Sequence, residues 1–229
     1  MSDEALSEAY RHCGALVREH RRDFWIAALF APEPSRRDLH AISAFAFEIA
    51  RVKGLTREPL AGEMRLTWWI EAIEGLRAAE AKNNPVAAAL IATMLSRGLP
   101  VEAFVGWLLA RRDELYADEP EDDAGIAALG REVEAPLFAL SARALGGEAP
   151  EAALRAGAAT ALCSAGRHAS ALAEIASAEA ALGNAASEVA PAFALLACLA
   201  LDARRGLRGK PPAAAWRRQA AIWWWGRGR

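Results

Sequence analysis

The stretch DFWIAALFAPEPSRRDLHAISAFAFEIARVKGLTREPLAGEMRLTWWIEAIEG, from Asp23 to Gly75, decides the fold. Its apolar runs are separated by breaks at Pro32 and Pro34 and by a connector that ends at Pro59. Between the breaks, apolar residues recur at i, i+3, i+7 and i+10, the spacing of one helix face. They are Leu39, Ile42, Ala46 and Ile49. The pattern predicts consecutive helices, the third of which turns one face to a core.

The composition of the whole chain also favours helices. Of its 229 residues 54% are hydrophobic, with alanine and leucine abundant and valine and isoleucine sparse. Alanine and unbranched side chains lose little conformational freedom in a helix. A chain of this length can bury one continuous core, and its connectors are short. The sequence therefore predicts an all-α, single-domain helical bundle over residues 1–229.

Caps, prolines and apolar spacing set the expected helix boundaries. Ser35 is expected to cap the third helix, and Pro100 to stand at the first position of another. The expected helices are 3–22, 23–31, 36–53, 60–82, 86–96, 100–117, 123–145, 150–167, 168–182, 187–207 and 213–225.

Charge and motif content argue against several function classes. A net charge of −2 gives no case for a nucleic-acid partner. The chain has no P-loop, GxSxG or dinucleotide-binding motif in a strand context. Its cysteines are far apart and its histidines form no HxxxH or HExxH pair, so we expect neither zinc nor disulfides. These residues are Cys13, Cys163, Cys198, His12, His20, His40 and His168.

Signals for cellular location are equally weak. The N-terminal MSDEALSEAY is acidic and polar, unlike a secretory or mitochondrial targeting segment. The longest apolar stretch, from Ala190 to Leu201, contains Pro191 and is shorter than the about 20 residues that cross a bilayer. We expect a soluble, cytoplasmic protein, with at most a peripheral contact to the inner membrane.

An acidic run between two expected helices resembles a metal cluster at first sight. It consists of Asp118, Glu119, Glu121, Asp122 and Asp123. Pro120 interrupts the run, and a following helix needs a capping side chain. The run is therefore predicted to be a solvated loop that supplies a helix cap.

The segment WRRQAAIWWWGRGR, residues 216–229, combines tryptophan with arginine. Helical spacing brings Trp216, Ala220, Trp223 and Trp224 to one face, with Arg217, Arg218, Arg227 and Arg229 around it. One interpretation is an interfacial helix that contacts anionic lipid or a partner's groove. The other is a helix that buries its tryptophans in an alanine-rich core. The candidate membrane or partner contacts are Trp216, Arg217, Arg218, Trp223 and Trp224.

The Asp23–Gly75 stretch resembles the N-terminal part of squalene and phytoene synthases. An apolar helix, a proline turn followed by arginine, a helix carrying the first aspartate motif and a helix with a Trp pair follow in that order. Residues 110–146 look like the family's middle helix pair, and residues 191–225 resemble the C-terminal helices of one bacterial branch. The resemblance implies an isoprenoid-synthase-like bundle, here with a shortened C-terminal third.

In that family, two aspartate clusters hold Mg²⁺ on a substrate diphosphate, and the metal neutralises the departing group. The first cluster, D-D-x-x-D, would fall on positions that here hold Ile49, Ala50 and Lys53. Glu48 lies about 100° away around the helix and cannot replace them alone. The second cluster should lie in the C-terminal third, yet residues 124–201 contain no aspartate. The resemblance thus implies a pseudoenzyme without catalytic residues, metal or cofactor.

Arg65 follows Met64 on the expected helix of the Trp pair, Trp68 and Trp69. Core packing is one account of these tryptophans, and the lining of a residual cavity by Glu48, Arg65, Trp68 and Trp69 is another. Both remain open from the sequence.

The run AFAFEIARVKG, residues 44–54, and the following Met64, Arg65 and Trp69 resemble a non-catalytic branch of the family. That branch contains the mitochondrial NADH:ubiquinone oxidoreductase complex assembly factor 6. The resemblance implies an assembly or maturation factor whose partner is a subunit or assembly intermediate of a complex I-like respiratory complex.

Two other functions stay open. One is a divergent prenyl transferase of isoprenoid biosynthesis, which would need Mg²⁺. The other is a non-catalytic protein that binds an isoprenoid or lipid. Whether the chain is an enzyme is undecided, although the missing aspartates favour a pseudoenzyme.

Overall fold

The computed structural model describes residues 2–55, 58–183 and 186–227. All regular elements in these ranges are helices, which confirms the all-α prediction. The helices are α1 (Asp3–His20), α2 (Arg22–Ala28), α3 (Ser35–Ala50), α4 (Val52–Leu55), α5 (Pro59–Ile73), α6 (Ala78–Asn83), α7 (Pro85–Arg97), α8 (Val101–Asp113), α9 (Asp123–Val133), α10 (Ala135–Ala144), α11 (Pro150–Ser164), α12 (His168–Leu182), α13 (Ala186–Phe193), α14 (Leu195–Gly206) and α15 (Ala215–Arg227). In the part of the chain just defined, no helix is long and apolar enough to cross a membrane.

The chain divides into two compact units. Unit 1 comprises Met1–Trp25 and Glu33–Asp118, and unit 2 comprises Ile26–Pro32 and Glu119–Arg229. Helix α2 begins in unit 1 and ends in unit 2, so the chain enters unit 2 briefly before α3 begins. The single-domain organisation and the shortened C-terminal third stay predictions.

An aromatic cluster forms the core of unit 1 between α3, α5 and α8. Phe45 is fully buried and meets Trp69, Phe104 and Trp107 edge to face, with ring centroids 5.1 to 5.8 Å apart. The predicted α3 stripe, Leu39, Ile42, Ala46 and Ile49, is buried along its whole length. Edge-to-face rings add to the area that each aromatic side chain buries. The periodicity of α3 therefore identified the core face correctly.

A buried polar network joins α1, α3 and α7 in unit 1. Asp38 accepts hydrogen bonds from Arg97 Nε at 2.7 Å and from Thr93 at 3.4 Å. The Tyr10 hydroxyl lies 3.0 Å from Thr93 Oγ1, and burial raises the pKa of Tyr10. Because an unpaired charge inside a core is costly, Arg97 makes the burial of Asp38 tolerable. The network also explains why Ser35 is not a helix cap: its hydroxyl accepts a hydrogen bond from Arg97 instead.

Close contact between small residues holds unit 2 together. Helix α11 packs against α9, α10, α12 and α14. A Cβ at Gly157 would lie 2.5 Å from the Gly130 carbonyl oxygen and the Ala135 backbone nitrogen. No side chain fits there, so the backbones of α9 and α11 approach each other directly. The alanine-rich composition of this half allows that approach.

Four long predicted helices are shorter or divided in the structure. The predicted helix 60–82 is wrong: Gly75, at φ +85°, separates α5 from α6. The predicted helix 36–53 ends at Ala50. The predicted helices 123–145 and 187–207 are each interrupted, at Glu134 and at Ala194. Apolar periodicity continues across such breaks, so it does not reveal them.

Candidate functional site

A cavity of about 230 Å³ lies in unit 1, beside the end of α3, α4 and α5. Its volume is below the roughly 300–1,000 Å³ of typical small-molecule sites. The lining residues are Glu48, Arg51, Val52, Leu55, Arg65, Trp68, Trp69 and Asn84. All four residues that the sequence proposed for a residual cavity, Glu48, Arg65, Trp68 and Trp69, are therefore together. What they do there stays a prediction.

Helix α5 gives its two tryptophans different environments, since consecutive residues point about 100° apart. Trp69 is buried against Phe45 and closes the inner side of the cavity. Trp68 is half-buried, and its Nε1 donates to Glu80 Oε2 at 2.8 Å. That bond, followed by one from Arg77, lowers the pKa of Glu80. Core packing accounts for Trp69, whereas Trp68 lies at the rim of the cavity.

Charges at the mouth of the cavity are unevenly matched. Arg51 Nη1 donates to Glu48 Oε1 at 3.2 Å, so this pair neutralises itself. Arg65 is exposed and makes no hydrogen bond or ion pair with any other residue that the structure describes. A guanidinium offers five donors and no acceptor. The net character of the mouth is therefore cationic, with an indole ring beside it.

The positions of the first aspartate motif lie where α3 ends and α4 begins. The side chain of Ile49 is 1% exposed, and Ala50 is half-buried. Lys53 Nζ lies 3.7 Å from Glu114 Oε1, on the chain just after α8. Glu114 also accepts from Arg111 Nη1 at 3.0 Å, and Arg111 is buried. We call Lys53, Glu114 and Arg111 the cation cluster.

The cation cluster does not fit a magnesium ion. Mg²⁺ takes oxygen ligands in a near-octahedral arrangement, usually with carboxylates. Here the Glu114 carboxylate contacts two cationic side chains, and the neighbouring motif position is a buried isoleucine. Across residues 2–55, 58–183 and 186–227, no group of three His, Cys, Asp or Glu side chains could hold a metal. Sequence reasoning missed Glu114 and Arg111, because only the packing of α8 brings them near Lys53.

Comparison with known proteins assigns the fold and the family. The family model for squalene/phytoene synthase matches residues 17–185. The chain belongs to the squalene/phytoene synthase family. A crystal structure of a dehydrosqualene synthase in complex with ligand superposes with a TM-score of 0.70 and 13% identity, over 98% of each chain. A squalene synthase from Alicyclobacillus acidocaldarius gives a TM-score of 0.58 and 18% identity, over 99% of this chain and 92% of that one.

Among curated proteins, complex I assembly factor 6 of Rattus norvegicus is 27% identical over 113 residues. The match covers 49% of this chain and 33% of the rat protein, so the chain spans about a third of the relative's length. Within the squalene/phytoene synthase family, the chain is thus similar both to synthases of known structure and to an assembly factor. The two solved structures confirm the isoprenoid-synthase-like fold, and they carry no argument about activity.

The histidines and cysteines singled out from the sequence are not among the residues that line the cavity of unit 1. His40 is buried, stacks on Trp25, and has its pKa lowered by burial. Burial raises the pKa of Cys13 to about 12 and that of Cys163 to about 11. His12 and His20 are exposed, His168 is half-buried and Cys198 is fully buried. In the part of the chain that the structure describes, none of the three cysteines is joined in a disulfide.

The acidic run supplies a helix cap, as predicted. Asp122 Oδ1 accepts from the backbone N–H of Gly125 at 2.7 Å and caps α9. Asp123 accepts from Ser170 and lies 3.4 Å from Arg167 Nε. Two of its carboxylates, those of Asp122 and Asp123, thus have partners within unit 2, and one of them caps α9.

Helix α15 exposes all three tryptophans that the sequence grouped. Trp216 is 65% exposed, Trp223 42% and Trp224 71%, so the interpretation that they are buried in the core is wrong. Arg217 is exposed too, and its guanidinium lies 5.1 Å from the ring centre of Trp216. Arg218, by contrast, pairs with Asp202 on α14. Arg227 is helical, its side chain lies outside the described residues, and so does Arg229.

Proposed function

We propose that this member of the squalene/phytoene synthase family is a non-catalytic assembly or maturation factor for a complex I-like respiratory complex. The cation cluster is the observation that carries the proposal. Where a synthase needs carboxylates around a metal, this chain has Lys53 and Arg111 on either side of Glu114. The similarity to complex I assembly factor 6 supports assembly of a complex I-like complex as the proposed role.

Electrostatics argue against turnover at this position. Ionisation of a prenyl diphosphate needs a divalent cation to stabilise the departing diphosphate. Two side-chain cations at the motif repel a divalent ion, because like charges close together are unfavourable. Ile49 offers no oxygen ligand, and its side chain is buried. The geometry supports a role that depends on surfaces.

The proposed partner is a protein, either a subunit or an assembly intermediate of the respiratory complex. The proposed location is the cytoplasm with a peripheral contact to the inner membrane. An assembly factor must recognise a partner near the membrane without staying in the finished complex. A chain that presents a surface and performs no chemistry suits that task.

Arg65 favours a second candidate function, a binding protein without chemistry. An exposed guanidinium beside Trp68 suits the anionic head of a small amphiphile. The volume of about 230 Å³ within unit 1 favours a head group over a long prenyl chain. Native mass spectrometry of the purified protein tests this candidate: a co-purified lipid or isoprenoid that is lost in Arg65→Ala supports it.

Deletion of the gene in its own host tests the leading proposal. We expect assembled complex I to fall in the deletion strain while isoprenoid products stay unchanged, and the wild-type gene to restore assembly. Complementation by Lys53→Arg, which keeps the cation, serves as the matched control. Loss of isoprenoid products with normal complex I would refute the proposal.

A direct assay separates the enzyme alternative. Purified wild-type protein is incubated with farnesyl or geranylgeranyl diphosphate, with and without Mg²⁺. We expect no magnesium-dependent consumption of either substrate. Turnover that appears with Mg²⁺ and disappears with a chelator would establish a divergent prenyl transferase instead.

A further inference from the structure

Helix α15 has two unlike faces. Its inner face is fixed in unit 2: Ile222 is fully buried, and Trp225 Nε1 donates to Glu179 on α12 at 3.0 Å. A Cβ at Gly226 would lie 2.8 Å from the ring of Phe30, so the helix end lies directly on that ring. The outer face presents Trp216, Trp223 and Trp224 to solvent. Helix α15 is therefore a fixed platform that holds three large indoles outward.

A carboxylate fixes the start of this platform. Asp202 on α14 accepts from the backbone N–H of Ala213 at 2.7 Å and from Arg218. Arg205 Nε donates to the carbonyl oxygen of Pro211 at 2.8 Å. These bonds tie the connector between α14 and α15 to α14. The direction in which the indoles point is thus set by the fold of unit 2.

The sequence segment that contains α15 carries charge of one sign. Residues 203–229 hold eight of the chain's 27 lysine and arginine side chains and none of its 29 acidic ones. The rest of the chain holds the remaining 19 basic and all 29 acidic side chains, so positive charge is concentrated here. Among the described residues of this segment, Arg204, Arg208, Lys210 and Arg217 are exposed.

Exposed indoles together with positive charge point to one kind of surface. Tryptophan favours the boundary between lipid head groups and acyl chains, because its ring is apolar and its N–H is polar. Basic side chains add attraction to anionic lipids. When only water contacts these three tryptophans, a large apolar area stays exposed, and exposed apolar patches of this kind mark interaction sites.

We infer that the outer face of α15, with the basic segment before it, docks on an anionic phospholipid bilayer. The three indoles insert at the head-group level, and Arg217 with Arg204, Arg208 and Lys210 contacts lipid phosphates. The helix lies in the plane of the interface. This inference deepens the peripheral location proposed above and does not depend on the assembly role.

The test is flotation of the purified full chain with vesicles. Vesicles of phosphatidylcholine with phosphatidylglycerol are compared with vesicles of phosphatidylcholine alone. We expect binding to the anionic vesicles to be stronger by on the order of tenfold, and to weaken in 0.5 M NaCl. Equal binding to both vesicles, or none to either, would overturn the inference and leave an acidic protein as the partner of this face.

Three variants localise the contact. Combined replacement Trp216→Ala, Trp223→Ala and Trp224→Ala should reduce binding to anionic vesicles by on the order of tenfold or more. Combined replacement Arg208→Gln, Lys210→Gln and Arg217→Gln should abolish the preference for anionic lipid. The control, Leu76→Ala with Leu95→Ala, removes two apolar side chains in unit 1 that are 74% and 80% exposed and should bind like wild type.

Circular dichroism of each variant checks that the helices are intact. If folded tryptophan variants bind anionic vesicles as wild type does, the face is wrongly assigned. The deletion strain separates this result from the function proposed above. A tryptophan variant that loses vesicle binding but restores complex I assembly upholds the bilayer contact and shows that assembly does not need it. If the tryptophan variant loses vesicle binding while the deletion strain assembles complex I normally, the proposed assembly function is refuted and the bilayer contact is upheld.

Discussion

Lys53 Nζ and Glu114 Oε1 lie 3.7 Å apart, an ion pair between α4 and the residue that follows α8. Glu114 is the less exposed partner and is shared with the buried Arg111. Both cationic side chains attract the carboxylate that they contact. The pair lies where the sequence predicts the degenerate first aspartate motif, and its contribution to stability can be tested.

Reversal of the charge at position 53 should destabilise unit 1. Lys53→Glu places two carboxylates side by side, and we expect the free energy of unfolding to fall by about 1 kcal/mol, since both groups are partly solvated. Urea denaturation measures the change, and 0.5 M NaCl should reduce it by screening. Lys53→Met, which removes the charge without repulsion, should cost less. Equal stability of Lys53→Glu and wild type would show that the pair contributes nothing.

An aspartate at position 49 should destabilise the protein because it would be buried. The side chain of Ile49 is 1% exposed, so Ile49→Asp buries a carboxylate without a partner and should cost more than about 3 kcal/mol. The matched control, Ile49→Val, should cost about 0.5–1.5 kcal/mol. Thermal unfolding with and without Mg²⁺ provides the measurement. A rise in the Tm of Ile49→Asp with Mg²⁺ would mean that a metal site is still preformed here.

The sequence predicted the part of the site that lies along single helices. Glu48, Arg65, Trp68 and Trp69 were proposed to line a cavity, and they do lie around one. It could not predict Glu114, since nothing in the local pattern of α8 indicates that Lys53 lies opposite. Likewise, the break at Gly75 depends on a backbone conformation that periodicity does not report.

Lower pH should destabilise the protein through His40. Burial lowers the pKa of His40 below its ordinary 6.5, so the unfolded chain takes up a proton first as the pH falls. Its contribution to stability is present above pH 6.5 and is lost as the pH falls through the folded pKa. Glu33, which favours the charged ring, and Arg36, which disfavours it, act on it from nearby. Urea denaturation between pH 7.5 and 5 measures the slope.

His40→Gln should flatten that slope, whereas His12→Gln, on an exposed part of α1, should keep it. The two replacements also change packing, which alters the free energy of unfolding at every pH. The dependence of that free energy on pH is therefore the quantity to compare. Identical slopes for wild type and His40→Gln would contradict the assignment.

Contact between α9 and α11 should not tolerate a methyl group. A Cβ at Gly157 would meet backbone atoms of Gly130 and Ala135 at 2.5 Å, so the helices must separate. We expect Gly157→Ala to lower the free energy of unfolding by about 1–3 kcal/mol, as over-packing does. Gly106→Ala in α8 is the control: no atom lies within 4 Å of its Cβ position, and it should gain roughly 0.5–1 kcal/mol. Chemical denaturation of both variants shows whether the room around the new methyl group determines if the replacement raises or lowers the free energy of unfolding.

The helical character of the chain and the core stripe of α3 follow from local chemistry, whereas the helix breaks and the contact at Gly157 do not. Alanine and glycine are compatible with either face of a helix, so the spacing of apolar residues does not indicate where they pack closely. Only the close approach of a second backbone makes a glycine obligatory, and that approach depends on tertiary packing. The exposed face of α15 was open for a similar reason: its spacing fits burial and exposure equally well.

The ring of Phe30 under the end of α15 has a consequence for synthesis on the ribosome. The segment Ile26–Pro32 is synthesised before residues 33–118 of unit 1, whereas the rest of unit 2 follows them. The contact of Phe30 with the end of α15 therefore forms only after residues 33–118 have been made. Contacts between distant parts of a chain form slowly, and exposed apolar segments invite aggregation in the meantime. A nascent chain of this protein is thus most dependent on chaperones at the segment Ile26–Pro32, and a single cut in the gene cannot yield unit 2 intact.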